Sequence, residues 1–258
     1  MKTSPNAAQP VYVLEGVTKT YPAARALDAI DLTISPGERV AVLGPSGSGK
    51  TSLLHVMGGV VPPDTGTATI EGQPLTGLSA GRELAGMVGM IHQQYDLVPH
   101  LPVIHNVLAG RLGRWSTMRS LLSLVLPQER NLAVDALEIL GISDKINERT
   151  SRLSGGEQQR VAMARLLVQA PRVILADEPV ASLDPARAEA LMLLLNDVAD
   201  RSNNTVVASL HSVHLTRKYF SRAIGLRRGR MHFDVPVDLL DDGLLNDLYD
   251  IEGLDGET

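Results

Sequence analysis

The sequence contains no cysteine in its 258 residues, which excludes a disulfide framework, a zinc–thiolate site and a cysteine nucleophile. Aromatic residues make up only 3% of the chain, so few rings are present for stacking nucleic-acid bases. No apolar run approaches the roughly 18 residues of a membrane-spanning helix. The first ten residues, MKTSPNAAQP, lack the apolar core of a secretory signal, so we expect a flexible tail at 1–10.

A surplus of positive charge is also missing, because 24 lysine and arginine residues stand against 29 aspartate and glutamate residues. The resulting net charge of −5 argues against nucleic acid as a partner, since proteins that bind it usually carry a basic surplus. Hydrophobic residues account for 44% of the chain and charged residues for 21%, which is typical of folded globular proteins. A chain of this length is expected to form one or two domains.

The sequence pattern predicts an alternation of strands and helices. Strands are predicted at Ile30–Ser35, Arg39–Leu43, Thr67–Glu71, Met87–Ile91, Val173–Ala176, Thr205–Leu210, Ala223–Leu226 and Met231–Phe233. Helices are predicted at Lys50–Met57, Asn131–Leu140, Glu157–Gln169 and Pro185–Arg201. Such alternation implies an α/β fold with a parallel sheet covered by helices. The stretch from Pro99 to Arg152 is predicted to be a helical insertion.

A glycine-rich segment between a predicted strand and a predicted helix fits the pattern G-x-x-x-x-G-K-[ST] of a phosphate-binding P-loop. Its residues are Gly44, Pro45, Ser46, Gly47, Ser48, Gly49, Lys50 and Thr51, followed by Ser52. Glycines let successive backbone N–H groups point at phosphate oxygens, and the helix N-terminus adds partial positive charge. Lys50 is expected to bridge the β- and γ-phosphates, and the Thr51 hydroxyl to ligate Mg²⁺. The alternative is an ordinary glycine-rich turn into a helix.

Two carboxylates follow a second apolar segment. Val173–Ala176 has four apolar residues, and Asp177 and Glu178 come directly after it. In open α/β sheets the carboxyl ends of the strands form the ligand-binding edge. We expect Asp177 to hold Mg²⁺ through water and Glu178 to take a proton from an attacking water. The alternative is a solvated acidic turn, which is the usual setting of an isolated Asp-Glu pair.

A third segment, LSGGEQQR at 153–160, places Ser154, Gly155, Gly156 and Glu157 at the start of a predicted helix. The N–H groups and dipole of such a helix make a second anion site. The chain already has a phosphate site at the P-loop. A second anion site is useful if it closes over a nucleotide that is bound by a different subunit. The segment alone is otherwise only a glycine-rich helix start.

With this order of motifs, the chain from about Val11 to Tyr249 resembles an ABC transporter nucleotide-binding subunit. The resemblance implies that two cassettes pair head-to-tail and enclose two ATP molecules with Mg²⁺. Tyr21 falls where the family stacks an aromatic ring on adenine, and Gln93 falls at the glutamine that senses Mg²⁺ and the γ-phosphate. Asp184, in the segment Ser182-Leu183-Asp184, matches the loop that crosses the dimer interface. His211 matches the histidine that contacts the γ-phosphate. The alternative to these family roles is that Tyr21 is a packing residue and that His211 is an ordinary histidine at the end of a strand.

A finer resemblance is to the ATPases of phosphonate importers. It is carried by VLAGRLGR at 107–114, SLL at 120–122, LADEPVASLDP at 175–185, LHSVHL at 210–215 and IGLR at 224–227. Three residues depart from the usual family pattern. His92 replaces a Phe, His105 replaces a Glu, and Ser212 replaces an Asp. None of the three replaces a group to which the resemblance assigns a catalytic role.

The resemblance implies a P-loop NTPase of the ABC ATPase type, with a RecA-like core, an N-terminal antiparallel β subdomain and an inserted α-helical subdomain. We expect one cassette at 11–249, with the core and β subdomain at 11–98 and 153–249, the helical subdomain at 99–152, and a tail at 250–258. The implied partners are a second copy, integral-membrane permease subunits and, indirectly, an extracytoplasmic solute-binding protein. The implied location is peripheral, on the cytoplasmic face of the inner membrane.

Three alternatives to a phosphonate importer stay open. The first is the ATPase of another ABC importer, the second is the ATPase of a lipoprotein-release or export system, and the third is a non-transport ABC ATPase. The last class usually carries two cassettes or long inserts, which this chain lacks. In the family, a groove near Gln93 receives a short permease helix. In the helical insertion, Arg111, Arg114, Trp115 and Arg119 are expected to form a solvated basic face rather than to touch the permease or lipid head groups.

Overall fold

The computed structural model describes residues 9–22, 24–78, 82–92, 96–181 and 183–249, and the chain folds as two compact units. The first unit contains the described residues up to Thr76 and from Val207 onward, and the second contains Gly77–Val206. These limits differ from the predicted subdomain limits at 98/99 and 152/153, which stay predictions.

The elements of the two units follow the chain in order. Those of the first unit are β1 (Tyr12–Tyr21), β2 (Ala24–Ile34), β3 (Arg39–Leu43), α1 (Lys50–Met57), β4 (Thr65–Ile70), β5 (Gln73–Pro74), α8 (Val213–Tyr219), β9 (Arg222–Arg227), β10 (Arg230–Pro236) and α9 (Asp242–Tyr249). Those of the second unit are α2 (Glu83–Met87), β6 (Val88–His92), α3 (Val103–Leu108), α4 (Thr117–Val125), α5 (Arg130–Ile139), α6 (Gly155–Gln169), β7 (Val173–Asp177) and α7 (Pro185–Ser202). Strand β8 (Thr205–Ser209) begins in the second unit and ends in the first.

An antiparallel sheet in the first unit has the strand order β2-β1-β4-β5. In β2, Ile30, Leu32 and Ile34 are buried, whereas Asp31 and Thr33 are exposed. This alternation puts every second side chain into the core because strand residues point to opposite faces in turn. The predicted N-terminal antiparallel β sheet is therefore confirmed.

A second group of strands in the first unit leads to the P-loop. β3 pairs in parallel with β9, and β10 returns antiparallel to β9 as a hairpin. The turn of this hairpin contains Arg228 and Gly229, both with positive φ. Val40–Leu43 is completely buried, as expected for a parallel strand covered on both faces. The end of β8 lies beside β3, because the Leu210 amide donates to the Val42 carbonyl over 3.0 Å.

The second unit combines a parallel strand pair with a helical layer. β6 pairs in parallel with β7, with His92 opposite Asp177. The helices α3 and α5 pack against α6. Gly110, just after α3, lies close to the α6 backbone, since a Cβ atom there would be 2.4 Å from the Arg165 carbonyl oxygen. Apolar side chains from all three helices, Val107, Leu137 and Val161 among them, are completely buried in this layer.

The predicted elements are found, most of them within two residues of the expected limits. The periodicity did not predict β1, β5, α2, α3, α4, α8 or α9. Among the described residues, no helix combines the length and the apolar character needed to cross a membrane.

Candidate functional site

The P-loop adopts a backbone that depends on its glycines. Gly44, Gly47 and Gly49 have φ values of 147°, 76° and 111°, a region that side-chain-bearing residues rarely adopt. A Cβ atom on Gly44 would also lie 2.2 Å from the Leu226 carbonyl oxygen, and one on Gly49 would lie 2.3 Å from the Ala26 carbonyl oxygen. The loop is therefore held closely against two neighbouring backbone segments that admit no side chain.

Polar groups of the P-loop converge at the start of α1. The Lys50 side chain is buried, and its ammonium group donates to the carbonyl oxygens of Gly44 at 2.8 Å and Pro45 at 3.2 Å. The Ser48 hydroxyl is buried and has no hydrogen-bond partner among the described residues. Gly49 is the N-cap of α1, and no described side chain caps this helix. A buried cation, an unpartnered hydroxyl and an uncapped helix N-terminus fit the binding of a phosphate group.

Two contacts to the P-loop come from residues that no motif indicates. The Tyr249 hydroxyl, at the end of α9, accepts a hydrogen bond of 3.3 Å from the Gly44 amide. Burial raises the pKa of the Tyr249 phenol, and the hydrogen bond from Gly44 opposes this rise. The Gly229 amide donates to the Ser48 carbonyl over 2.9 Å. Both contacts join residues about 200 positions apart, so periodicity and motifs do not reveal them.

Two further predicted site residues lie in the first unit. Tyr21 ends β1 and is 38% exposed, with the Lys19 ammonium 5.8 Å from the centre of its ring. His211 is exposed directly after Leu210, beside the end of β3 from which the P-loop begins. Ser212 is the N-cap of α8, where its hydroxyl accepts from the Leu215 amide. Ser and Asp are both favourable N-caps, so this departure from the family pattern preserves the helix start.

The two carboxylates of the second unit follow β7 as predicted. Asp177 ends the strand and is half-buried, as is Glu178. Glu178 has φ 46°, a left-handed backbone that is uncommon for a glutamate and is often found at functional sites. The Glu178 carbonyl accepts from the Ala181 amide over 3.2 Å, which closes the turn after the strand.

The segment at 153–160 forms a capped helix start. Ser154 is the N-cap of the 15-residue helix α6, and its hydroxyl oxygen accepts from the Glu157 amide. The Glu157 carboxylate in return accepts from the Ser154 amide and hydroxyl, both at 2.8 Å. These hydrogen bonds hold the pKa of Glu157 below its usual range. Ser154, Gly155 and Gly156 are exposed, and a Cβ atom on either glycine would meet open space.

Some of the remaining predicted site residues lie within the described part of the structure, and others lie outside it. Asp184 is the N-cap of α7, and its carboxylate accepts from the Arg187 amide at 3.1 Å. Gln93 and Ser182 lie outside the described residues, so their predicted positions are not compared with the structure. Of the two other departures, His92 lies 3.6 Å from the Asp96 carboxylate, and His105 is half-buried in α3.

A buried network in the second unit was not anticipated from the sequence. The Asn106 side chain accepts from the Val98 amide at 2.7 Å and donates to the Thr150 hydroxyl oxygen at 2.7 Å. The Thr150 hydroxyl in turn donates to the Leu101 carbonyl at 3.0 Å. Asn106 and Thr150 are almost completely buried, so these hydrogen bonds fix the start of the helical layer to the segment before α6.

The donors available for a metal ion are few in number. Among the described residues, no group of three His, Asp or Glu side chains is placed to hold a metal. Of the predicted Mg²⁺ ligands, Thr51 lies in the first unit, Asp177 lies in the second, and Gln93 lies outside the described residues. A hydroxyl and a carboxylate are oxygen donors of the kind that Mg²⁺ takes, with water and phosphate oxygens completing its shell.

Comparison with known proteins identifies the class. The family model described as ABC transporter matches residues 27–181, more than half of the chain. The phosphonates import ATP-binding protein PhnC of Pseudomonas putida is 44% identical over 98% of this chain and 93% of its own length. PhnC 1 of Pseudomonas aeruginosa is 46% identical over 90% of this chain and 88% of its own. The chain belongs to the ABC transporter family.

A solved structure supports the same assignment. The ATP-binding cassette MJ0796, in a dimeric post-hydrolysis state bound to ADP and Pi, has a TM-score of 0.74 and 31% identity. The match covers 88% of this chain and 98% of that one. The predictions of an ABC ATPase fold and of a nucleotide-binding ATPase are therefore confirmed.

Proposed function

We propose that this protein hydrolyses ATP as a head-to-tail dimer and thereby drives import of a phosphonate, or a related phosphorus oxyanion, through a separate permease. The observation that carries the proposal is the P-loop with its buried Lys50 and unpartnered Ser48 hydroxyl. The names of relatives that share 44–46% of their residues over most of the chain support phosphonate as the solute.

In the proposed reaction, the P-loop holds the phosphates of ATP. Backbone N–H groups within 44–52, except at Pro45, which has none, surround the β- and γ-phosphates, and Lys50 exchanges its carbonyl partners for phosphate oxygens. Tyr21, which is exposed at the end of β1, stacks on the adenine ring. Thr51, Gln93 and, through water, Asp177 are the proposed ligands of Mg²⁺. When bound, this ion neutralises charge on the β- and γ-phosphates.

Proton removal and charge stabilisation fall to three side chains in this proposal. Glu178 accepts a proton from the attacking water, and its left-handed backbone aims the carboxylate differently from a residue that continues the strand. Gln93 and His211 hydrogen-bond the γ-phosphate as charge spreads over its oxygens. The transition state is loose, so positioning and electrostatics account for most of the catalysis.

The second anion site explains why two copies are required. Ser154, Gly155 and Gly156 are exposed at the N-terminus of α6, where they are available to the nucleotide of the partner subunit. Glu157 fixes Ser154 through two 2.8 Å hydrogen bonds, which keeps the helix start in one conformation. Asp184 is proposed to cross the dimer interface. ATP binds the closed dimer more tightly than the open one and thereby shifts the equilibrium towards it.

The other partners follow from this role. The permease subunits supply the membrane pore, and an extracytoplasmic solute-binding protein delivers the solute to them. The chain is then a peripheral protein on the cytoplasmic face of the inner membrane. No nucleic acid takes part.

The hydrolysis proposal is tested with Glu178→Gln in the assembled transporter. Loss of a positioned general base is expected to lower the turnover of ATP by about 10²–10⁴-fold while ATP still binds. Glu138→Gln, an exposed glutamate on α5, is the matched control and should retain wild-type turnover. Lys50→Ala should instead weaken nucleotide binding itself. Wild-type turnover by the Glu178→Gln transporter would disprove the role of Glu178.

The solute is tested separately. The chain is co-purified with its permease, and ATPase activity is measured with candidate solutes and the solute-binding protein. Phosphonates are expected to stimulate hydrolysis. Stimulation by sulfate or an amino acid, but not by phosphonates, would show that the chain serves a different importer and would leave the hydrolysis proposal intact.

A further inference from the structure

Helix α4 and the residue after it expose four apolar side chains to solvent, whereas the serines of α4 face the protein. Met118, Leu121 and Leu122 are 70%, 60% and 49% exposed, and Leu126, which directly follows the helix, is 61% exposed. Ser123 is only 5% exposed, and Ser120 is half-buried. A surface helix normally does the reverse, with its apolar stripe against the core. The four exposed residues recur at helical spacing and are called here the α4 apolar face.

Polar contacts hold α4 in this orientation. The Glu129 carboxylate binds Arg111 at 3.0 Å and Arg119 at 2.7 Å, and Arg119 lies 5.3 Å from the ring centre of the buried Trp115. Burial of Glu129 works against its ionisation, but the hydrogen bond and the charges from the two arginines outweigh it and lower its pKa. The expectation that Arg111, Arg114, Trp115 and Arg119 form a solvated basic face is wrong for Trp115, because its ring is buried.

The surroundings of the α4 apolar face are basic. Residues 111–130 contain four arginines and one glutamate, a net charge of +3 in a chain whose total is −5. Arg114 and Arg130 are exposed, and the Arg119 side chain is 45% exposed despite its ion pair. The Arg114 guanidinium also donates to the carbonyls of Gln169 and Ala170 at the end of α6. An apolar helix face flanked by cations is typical of a membrane-surface helix.

We propose that the α4 apolar face inserts into the interfacial region of a membrane that contains anionic phospholipid. Met118, Leu121, Leu122 and Leu126 enter the boundary between head groups and acyl chains, and the flanking arginines contact lipid phosphates. Charge complementarity selects this partner, because the net charge of +3 at residues 111–130 is opposite in sign to the charge of an anionic phospholipid. The proposal does not depend on which solute the transporter carries.

The experiment measures binding of the full-length, purified chain to vesicles by co-sedimentation. Vesicles of phosphatidylcholine with phosphatidylglycerol are compared with vesicles of phosphatidylcholine alone. We expect tighter binding to the anionic vesicles and weaker binding as salt is added, because exposed charges are screened. Leu121→Ser should reduce binding about tenfold, and Met118→Ser/Leu121→Ser should reduce it further, in line with the loss of buried apolar area.

The controls distinguish insertion of the α4 apolar face from nonspecific hydrophobic binding to vesicles. Leu193→Ser removes a leucine of similar exposure, 55%, from α7 and should leave binding unchanged. Leu121→Met keeps an apolar side chain and should retain most of the binding. Circular dichroism of every variant confirms that the helices persist, and Met118→Ser alone replaces Leu121→Ser if the latter does not fold.

Three results would overturn the proposal. The first is no binding of the wild-type chain to anionic vesicles. The second is equal loss of binding in Leu121→Ser and Leu193→Ser. The third is unchanged vesicle binding by Leu121→Ser together with loss of co-purification with the permease, which would make the α4 apolar face a protein-docking surface instead.

Discussion

Two glycines of the P-loop allow a direct test of what the close backbone packing contributes. Gly47 and Gly49 both have positive φ, at 76° and 111°. A Cβ atom on Gly47 would have no neighbour within 4 Å, whereas one on Gly49 would lie 2.3 Å from the Ala26 carbonyl oxygen and 3.3 Å from the Leu27 side chain. Gly47→Ala therefore introduces backbone strain alone, and Gly49→Ala introduces strain and a collision with a backbone atom.

The magnitudes of the two effects differ. For Gly47→Ala, the left-handed backbone costs about 1–2 kcal/mol. For Gly49→Ala, the φ of 111° is less favourable, and the cost is nearer the upper end of a range of about 1–3 kcal/mol. Relieving an overlap of this kind adds about 1–3 kcal/mol. The entropy that alanine removes from the unfolded chain stabilises both variants equally and cancels in the comparison. Gly49→Ala should lower the free energy of unfolding by at least about 1 kcal/mol more than Gly47→Ala does.

The assay is urea unfolding followed by far-ultraviolet circular dichroism, with ATP affinity measured in parallel. If unfolding is induced by heat instead of urea, a difference of about 1 kcal/mol corresponds to a difference of about 2–4 °C in Tm for a chain of this size. Gly49→Ala should also weaken ATP binding more than Gly47→Ala, because the start of α1 must move. Equal stability of the two variants, within about 0.5 kcal/mol, would show that the approach of Ala26 does not constrain the loop.

Three further outcomes are expected from single substitutions. Tyr249→Phe removes the hydrogen bond to the Gly44 amide and should cost about 0.5–1.5 kcal/mol in urea unfolding, with no loss if the phenol does not support the loop. Asn106→Ala removes the acceptor of the buried Val98 amide and the donor to the Thr150 hydroxyl oxygen and should cost about 2–4 kcal/mol, whereas exposed Asn131→Ala should cost under about 0.5 kcal/mol. The hydrogen bonds that lower the pKa of Glu157 contribute stability that is complete above its ordinary pKa of about 4.5 and is lost as pH falls through the lower folded value. Glu157→Gln should therefore lose less stability than wild type between about pH 6 and pH 3, and identical pH profiles would contradict this.

Local sequence was sufficient for most of the elements that carry the motifs. The strand at Arg39–Leu43 and the helix at Lys50–Met57 have the predicted limits, because a short apolar run and a glycine-rich turn each determine structure over a few residues. The position of Asp177 at the end of β7 follows in the same way from the apolar run before it. Motif order, through the family that it resembles, also indicated the ABC ATPase fold.

Helix α4 shows where local pattern is insufficient. Its apolar spacing is that of a core-facing helix, and the exposed Met118 and Leu121 cannot be distinguished from buried residues by spacing alone. The orientation depends on Glu129, which binds arginines from before and within the helix. Ion pairs between segments are set by the three-dimensional path of the chain, so periodicity contains no information about them.

The sequence by itself determined the P-loop, the pair of carboxylates after β7 and the capped start of α6, because each is encoded by adjacent residues whose backbone requirements are local. Only the tertiary structure decided what supports them. The Tyr249 hydroxyl and the Gly229 amide reach the P-loop from the far end of the chain, and the Asn106 network joins segments more than 40 residues apart. Such contacts form because folding brings distant groups within hydrogen-bonding distance, and no spacing in the sequence specifies that distance.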